Sequence, residues 1–387
     1  MDTLLHQITE RIRAASAACT PLRLRAGGSK DFYGQSLAGE LLDLSGLSGI
    51  LSYEPSELVV TVRAGTPLVE LEAALAEQGQ CLAFEPPHFA QFGASHAGGT
   101  VGGMVAAGLS GPARASVGGV RDYVLGVKLL NGRAELLTFG GQVIKNVAGY
   151  DVSRLMVGAL GTLGVLTEIS LKVLPVAPAE ATLMVGNIAQ PHALALLQRW
   201  GGQPLPLNAS CWVHDDSASP AQDTLFVRLR GAAAAVVAAC ARLLAELQAG
   251  GFEATRLDTA QAGADWNACR DQSLPFFQAP SPELGLWRLS LPPAAPALDL
   301  PWAQLIEWHG GLRWLWAPLS SQAQLREAAA QVGGTALLFR APQAGNTGAT
   351  ARFHPLNPVL AQIHQRLQAE FDPAGIFNRG RMYPDAN

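Results

Sequence analysis

The run KNVAGYDVSRLMVGALGTLGVLTEISLKV, Lys145–Val173, carries glycines at 149, 158, 161 and 164. They fall where a helix opened by Tyr150 and Asp151 must stop and a strand must start. Glycine permits a positive φ and lets a ligand approach the backbone with no Cβ in the way. The run therefore predicts a helix, a tight glycine turn and a buried strand. Three further glycine-rich segments repeat the theme: RAGGSK at 25–30, GGTVGGMVAAGLSG at 98–111 and NRGR at 378–381. RAGGSK follows a short strand, and its successive N–H groups suit an anion-binding nest. It is neither a Walker A loop nor G-x-G-x-x-G. In TVGGMVAAG, Gly102 and Gly103 cost a helix roughly 1 kcal/mol each against alanine, so a close approach must justify them. Either a ligand or a tightly packed neighbour would do so. Each segment alone has an ordinary turn reading; their joint presence in this order carries the weight.

Working outward, Leu4, Leu5, Ile8 and Ile12 predict a first helix over 3–18. LRLR at 22–25 reads as a strand, with others at 40–44, 49–53 and 57–65. Pro67 starts a helix that Gly79 ends. VLGVKLL-NG-RAELLTF at 124–139 predicts a hairpin with Asn131-Gly132 in a type I′ turn. PVAPAEA at 175–181 is a connector. Beyond it come a strand at 225–231, an Ala-rich helix at 232–249 and a hairpin at 306–316 turning on Gly310-Gly311. This order suits an antiparallel α+β layer. FDPAGIFNRGRMYP at 371–384 reads as a turn segment without a core-like run.

At 387 residues, two domains are expected. The net charge of −4 argues against a nucleic-acid partner. Only 15% of residues are charged, against about 25% in typical soluble domains, which fits either a buried subunit interface or an Ala/Gly-rich bias. Cys19, Cys81, Cys211, Cys240 and Cys269 show no C-x-x-C spacing, so neither an iron–sulfur cluster nor a zinc or other metal site is expected on this chain. The cysteines suit a reduced, cytoplasmic protein. His88 and His96 are better read as loop histidines than as catalytic ones, and Arg121-Asp122 as structural. Trp302, Trp308, Trp314 and Trp316 suit either a partner surface or sheet packing.

RAGGSK, PPHFAQFGASHAGGTVGGMVAAGLSGP, SVGGVRDYVLGVKLLNGR, the 145–173 run and FDPAGIFNRGRMYP together resemble the vanillyl-alcohol-oxidase-type (PCMH-type) FAD-binding flavoproteins. Within that superfamily the chain is most similar to the family of bacterial glycolate oxidase E subunits. The match is close over 20–175 and over the last fourteen or so residues; 180–350 match mainly in layout. The resemblance implies an α+β fold: an FAD-binding PCMH-type domain of two α+β subdomains over 1–176, an antiparallel α+β cap over 177–351, and a segment over 352–387 returning to the first domain.

It also implies the site. Arg25, Ala26, Gly27, Gly28, Ser29 and Lys30 would hold the FAD pyrophosphate. Gly98, Gly99, Thr100, Gly102, Gly103, Gly108 and Ser110 would contact the diphosphate–ribityl region and approach the isoalloxazine. Gly161, Thr162, Gly164 and Val165 would hold the ribose and adenine. Asn378 and Arg381 would close over the flavin, with Pro86, Pro87 and His88 near the entrance. Covalent relatives carry R-x-G-G-H in the first loop; Ser29 stands in the histidine slot, so the FAD is expected to be non-covalent. The H-x-G-D-G-N-x-H metal motif of related 2-hydroxy-acid dehydrogenases is missing, and NRG at 378–380 replaces their NPG. The resemblance thus implies an FAD subunit of a complex that oxidises glycolate to glyoxylate, with electrons passing to an iron–sulfur subunit and the quinone pool. A D-type FAD subunit bearing the metal motif and an F-type iron–sulfur subunit are the implied partners. The complex would be cytoplasmic, or peripheral at the inner membrane. Two other readings stay open: a self-sufficient FAD oxidase of a small alcohol or 2-hydroxy acid, and a flavin-free scaffold of the same fold.

Overall fold

The computed structural model describes residues 3–36, 38–89, 99–141, 151–215, 220–344 and 350–383. His96, Gly98, the 145–150 start of the glycine run and Pro384 lie outside them. The chain forms two compact units: Met1–Ser110, Gly119–Val176 and Ala351–Asn387 make the first, Gly111–Gly118 and Ala177–Thr350 the second.

In the first unit the strands are β1 (Leu22–Arg25), β2 (Glu40–Asp43), β3 (Ile50–Glu54), β4 (Val59–Arg63), β5 (Gln80–Cys81), β6 (Val124–Leu130), β7 (Leu136–Gly140), β8 (Val165–Lys172) and β9 (Leu174–Pro175). A five-stranded antiparallel sheet runs β3-β4-β8-β6-β7, while β1-β2 form a small parallel pair and β5-β9 an antiparallel one. β4 and β8 are central and their Val and Ile side chains are buried, as strands covered on both faces require. The helix Leu68–Glu77 buries Leu68, Leu71 and Leu75 against Val60, Val62 and Ile169. The helix Thr3–Ala18 turns Ile8, Ile12 and Ala15 onto a second cluster with Leu22, Leu42 and Val165. These two cores fix the ends of β1 and β8, which carry the glycine turns at 25–30 and 161–164, and the end of β4, against which Gly102 packs.

The second unit is an eight-stranded antiparallel sheet of β10 (Ala179–Val185), β11 (Leu207–Asp215), β12 (Gln222–Gly231), β13 (Ala254–Arg256), β14 (Leu284–Ser290), β15 (Gln304–Glu307), β16 (Leu312–Pro318) and β17 (Thr335–Arg340), ordered β13-β10-β12-β11-β15-β16-β14-β17. The helices Gln190–Gly201 and Ala233–Ala249 pack on it through Leu197, Trp200, Leu243 and Leu247. Among the described residues no helix is long and apolar enough to cross a membrane.

Both predicted hairpins form, but neither turns as expected. Between β6 and β7 the loop is longer than a type I′ turn, and Ala134 (φ 59°) adopts the left-handed conformation, not Gly132. Asn131 organises it, its Oδ1 accepting from Arg133 N and Glu135 N at 3.0 and 2.9 Å. Gly132 answers a different demand: its N–H donates to Phe371 O at 2.8 Å, and a Cβ there would sit 2.6 Å from Asp372 Oδ1. Between β15 and β16 the bend begins earlier than Gly310-Gly311, with Trp308 (φ 54°) and His309 (φ 55°) already left-handed.

After a helix at Pro358–Phe371 the C-terminal segment runs in turns as expected, but it is not free of core: Ile376 and Phe377 are buried in the second core, 0% and 2% exposed. Leu22 N donates to Ile376 O at 2.6 Å and Asn378 N to Leu22 O at 3.0 Å, so the segment pairs alongside β1. A two-residue apolar pair is too short to stand out as core, yet one strand partner suffices to bury it. Trp308, Trp314 and Trp316 are buried, and Trp302 packs on the core of the second unit. Their indole N–H groups reach Gly111 O, Glu307 Oε2 and Phe276 O, which is sheet packing and not a partner surface. Asp122 closes a turn by accepting from Gly119 N at 2.8 Å.

Candidate functional site

The glycine segments converge within the first unit. Around them lies a cavity of about 360 Å³, within the range of small-molecule sites. Its wall takes Arg25, Ala26, Gly27, Gly28, Ser29 and Lys30 from the loop after β1, and Thr100, Gly102 and Gly103 from the start of the helix Val101–Ala107. Gly161 and Gly164 come from the turn before β8, and Asn378 and Arg381 from the C-terminal segment.

Local chemistry explains each placement. Thr100 caps the helix, its Oγ1 accepting from Gly103 N at 3.2 Å. The two helical glycines then divide the roles that the sequence left open. A Cβ on Gly102 would sit 2.7 Å from Ala64 O, and its own N–H bonds that carbonyl, so packing against the end of β4 requires it. Among the described residues a Cβ on Gly103 would meet only Thr100 Oγ1, at 3.3 Å, which leaves its bare backbone for the cavity. Gly161, at φ 73°, would drive a Cβ to 2.8 Å from Asn378 Nδ2. That amide is a staple: Nδ2 donates to Leu160 O at 2.7 Å and Oδ1 accepts from Leu24 N at 2.8 Å. Asn378 thereby ties the C-terminal segment, the 160–161 turn and β1 together, at the back of the cavity.

Arg381 braces the first loop. Its Nη1 donates to Gln35 O at 2.8 Å and its Nη2 to Lys30 O and Asp31 O at 3.2 and 3.1 Å. Burial pulls its pKa down, Asp31 pushes it back up and Arg352 pulls it down again. Asp31 also pairs with Arg25 Nε at 2.7 Å. Among the described residues the cavity is lined by Arg23, Arg25, Lys30 and Arg381 against Asp31 as the one acid, a wall suited to anions.

Other expected residues lie off this wall. Gly99 stands behind the first loop, where a Cβ would meet Ser29 Oγ at 2.3 Å. Gly108 ends the helix at φ 64° against Gly158, and Ser110 Oγ accepts from Val120 N. Thr162 Oγ1 donates to Ala159 O, and Val165 is buried in the core as the first residue of β8. Pro87 is buried, and His88 Nε2 lies 2.9 Å from Glu72 Oε2. Gly98 is outside the described residues. Conversely, Arg23, Asp31, Ser36, Ala64, Ala106 and Leu160 line the cavity unforeseen. Their residue types carry no motif; only the alternation in LRLR, which sends Arg23 and Arg25 to one side of β1, could have marked one of them.

The model of a family described as an FAD binding domain matches residues 5–140. Over 98% of its length the chain is 43% identical to the glycolate oxidase subunit GlcE of Escherichia coli (strain K12), covering 97% of that protein. It is 32% identical to the glycolate oxidase subunit GlcD of Bacillus subtilis (strain 168) over 146 residues, 38% of this chain and 30% of that protein. Among solved structures, 4-ethylphenol oxidase from Gulosibacter chungangensis aligns with a TM-score of 0.68 at 14% identity, covering 98% of this chain and 88% of that one. A likeness at that identity speaks for the fold.

Proposed function

We propose, from the premise that this chain belongs to the family of the Escherichia coli glycolate oxidase subunit GlcE, that it is the FAD-carrying E subunit of a glycolate oxidase complex. The observation that carries the proposal is the 43% identity over 98% of the chain. The wall fits FAD: its cationic lining would face the pyrophosphate, and Gly103 offers backbone without a side chain. When bound, FAD supplies the two-electron acceptor for a CH–OH group. The protein's share is to bind and orient it, through the loop at 25–30, the helix start at 100–103 and the Asn378 staple. Ser29 offers no side chain able to tether a flavin covalently, so the cofactor is held without a covalent bond.

In the complex, glycolate becomes glyoxylate with release of two electrons and two protons, and the electrons pass to an iron–sulfur subunit and the quinone pool. A D-type FAD subunit with a metal motif is the partner that oxidises glycolate; the whole sits in the cytoplasm or peripherally at the membrane. The test is purification from the native host with flavin and iron counted. FAD on this chain and iron in stoichiometric partners are expected. A chain that stays colourless after gentle purification with added FAD would defeat the reading. One that alone reduces its flavin with glycolate at a useful rate would replace it with the self-sufficient oxidase.

The two helical glycines give a sharper check. Gly102→Ala should cost about 1–3 kcal/mol, since its Cβ meets backbone that cannot retreat. Gly103→Ala should leave the apo chain as stable or about 1 kcal/mol more so, because alanine favours helix. It should nevertheless lower the FAD retained per chain. Thermal melts of apo protein and flavin counts after gel filtration separate the two. Equal melting points, or full flavin in Gly103→Ala, would contradict the division of roles.

A further inference from the structure

We propose that Arg352, buried beside Arg381 at the edge of the cavity, forms a carboxylate subsite where this chain holds a small organic acid; the inference rests on the FAD-binding reading above. Arg352 is 8% exposed, and neither its Nε nor its Nη1 has a hydrogen-bond partner among the described residues. Arg381, equally buried, spends its Nη groups on three carbonyls. A buried guanidinium with idle donors is costly unless an anion meets it.

Its place in the fold points to this cavity. The next residue, Phe353, packs edge-on against Tyr33 at 5.6 Å and tilts against Tyr383 at 6.0 Å. Tyr33 belongs to the loop whose carbonyls receive Arg381, and Tyr383 follows Arg381 by two residues. Phe353 is thereby held beside the loop that receives Arg381, which lines the cavity, and the neighbouring Arg352 charge is near enough to pull the Arg381 pKa down.

Charge balance indicates what the corner takes. Among the described residues four cations line the cavity, and the one acid beside them, Asp31, is engaged by Arg25. A bound pyrophosphate would carry about two negative charges against the three remaining cations, and Arg352 adds a further positive one, so about two positive charges stay unbalanced. A further anion is called for. Guanidinium groups are suited to carboxylates, which they can meet with two parallel N–H donors.

The test uses the full chain loaded with FAD and titrated with oxalate, a two-carbon acid that carries no CH–OH group. Binding is read from the flavin absorbance change and by calorimetry. Arg352→Met should weaken oxalate at least tenfold while FAD per chain stays the same, and Arg352→Lys should regain part of that loss. If Arg352→Met does not fold, Arg352→Lys alone should still bind oxalate several-fold more weakly. Loss of FAD with unchanged oxalate affinity in the remaining holoprotein would assign Arg352 to a cofactor phosphate and overturn the subsite. Unchanged affinity at unchanged FAD, or no oxalate binding to the wild type, overturns it equally. A wild-type chain that holds no FAD defeats the functional reading, and this inference with it.

Discussion

Replacing Asn378 by alanine should lower the stability of the chain by about 3–5 kcal/mol and strip it of FAD. Two backbone groups lose their partners at once, Leu160 O and Leu24 N, and leaving such groups unsatisfied costs about 1–3 kcal/mol each. Asn378 also holds φ at 40°, a conformation that asparagine tolerates and alanine adopts at a cost of about 1 kcal/mol. Asn378→Gly separates these contributions, since it keeps the backbone permissive but loses both side-chain bonds. Asn378→Asp keeps the acceptor for Leu24 N but sets a carboxylate oxygen against Leu160 O. The order of stability should be wild type, then glycine or aspartate, then alanine, by denaturant unfolding of the apo chain. FAD per chain should follow the same order, because Gly161 faces the cavity from the turn that Asn378 anchors. An Asn378→Ala chain that unfolds within 1 kcal/mol of wild type and keeps its flavin would show that the amide staples nothing of consequence.

That residue also marks how far the sequence was legible. Its candidacy for the site came from the family resemblance over NRGR, but its task could not be read, because a hydrogen bond spanning 354 positions leaves no trace in local pattern. The periodic elements were readable: Ile8 and Ile12 repeat on one helical face, and β4 and β8 are apolar runs of strand length. Glycine positions were readable as places of close approach, but not what approaches. Gly102 meets Ala64 and Gly132 meets Asp372, both protein atoms, whereas Gly103 is left open. Turn geometry failed for a related reason. Asn131-Gly132 has the composition of a two-residue turn, but Asn131 Oδ1 binds two following N–H groups and moves the left-handed residue to Ala134. Burial of Arg352 was equally hidden, since a lone arginine in a polar stretch reads as exposed.

A similar surprise at the β15–β16 turn sets the pH response of the chain. Stability should fall by about 3 kcal/mol as pH drops from 6.5 to 4, and His309 should account for it. Trp308 and His309 are both left-handed, a conformation worth roughly 1–2 kcal/mol of strain per residue. Side chains hold the turn in place. Trp308 Nε1 donates to Gly111 O at 2.9 Å, and His309 N donates to Ser210 Oγ at 3.0 Å. The imidazole lies between two hydroxyls, Nδ1 3.0 Å from Ser210 Oγ and Nε2 3.1 Å from Ser116 Oγ. Neither hydroxyl offsets a positive charge, and Arg114 and Arg288 already crowd the Trp308 ring at 4.4 and 5.2 Å. Burial therefore pushes the His309 pKa down to about 4 from 6.5. Above pH 6.5 the imidazole is neutral in both folded and unfolded chains, and the shift has no effect. Between 6.5 and 4 the unfolded chain takes up a proton that the folded chain refuses, so stability declines by about 1.4 kcal/mol per pH unit. Asparagine keeps a polar side chain and accepts a positive φ, so His309→Asn should fold at pH 8 and lose this slope. Carboxylates titrate alike in both proteins, so the difference between their melting curves isolates the histidine. Parallel curves from pH 8 to pH 4 would mean that His309 protonates freely in the folded chain, and that the turn is not held by a neutral imidazole.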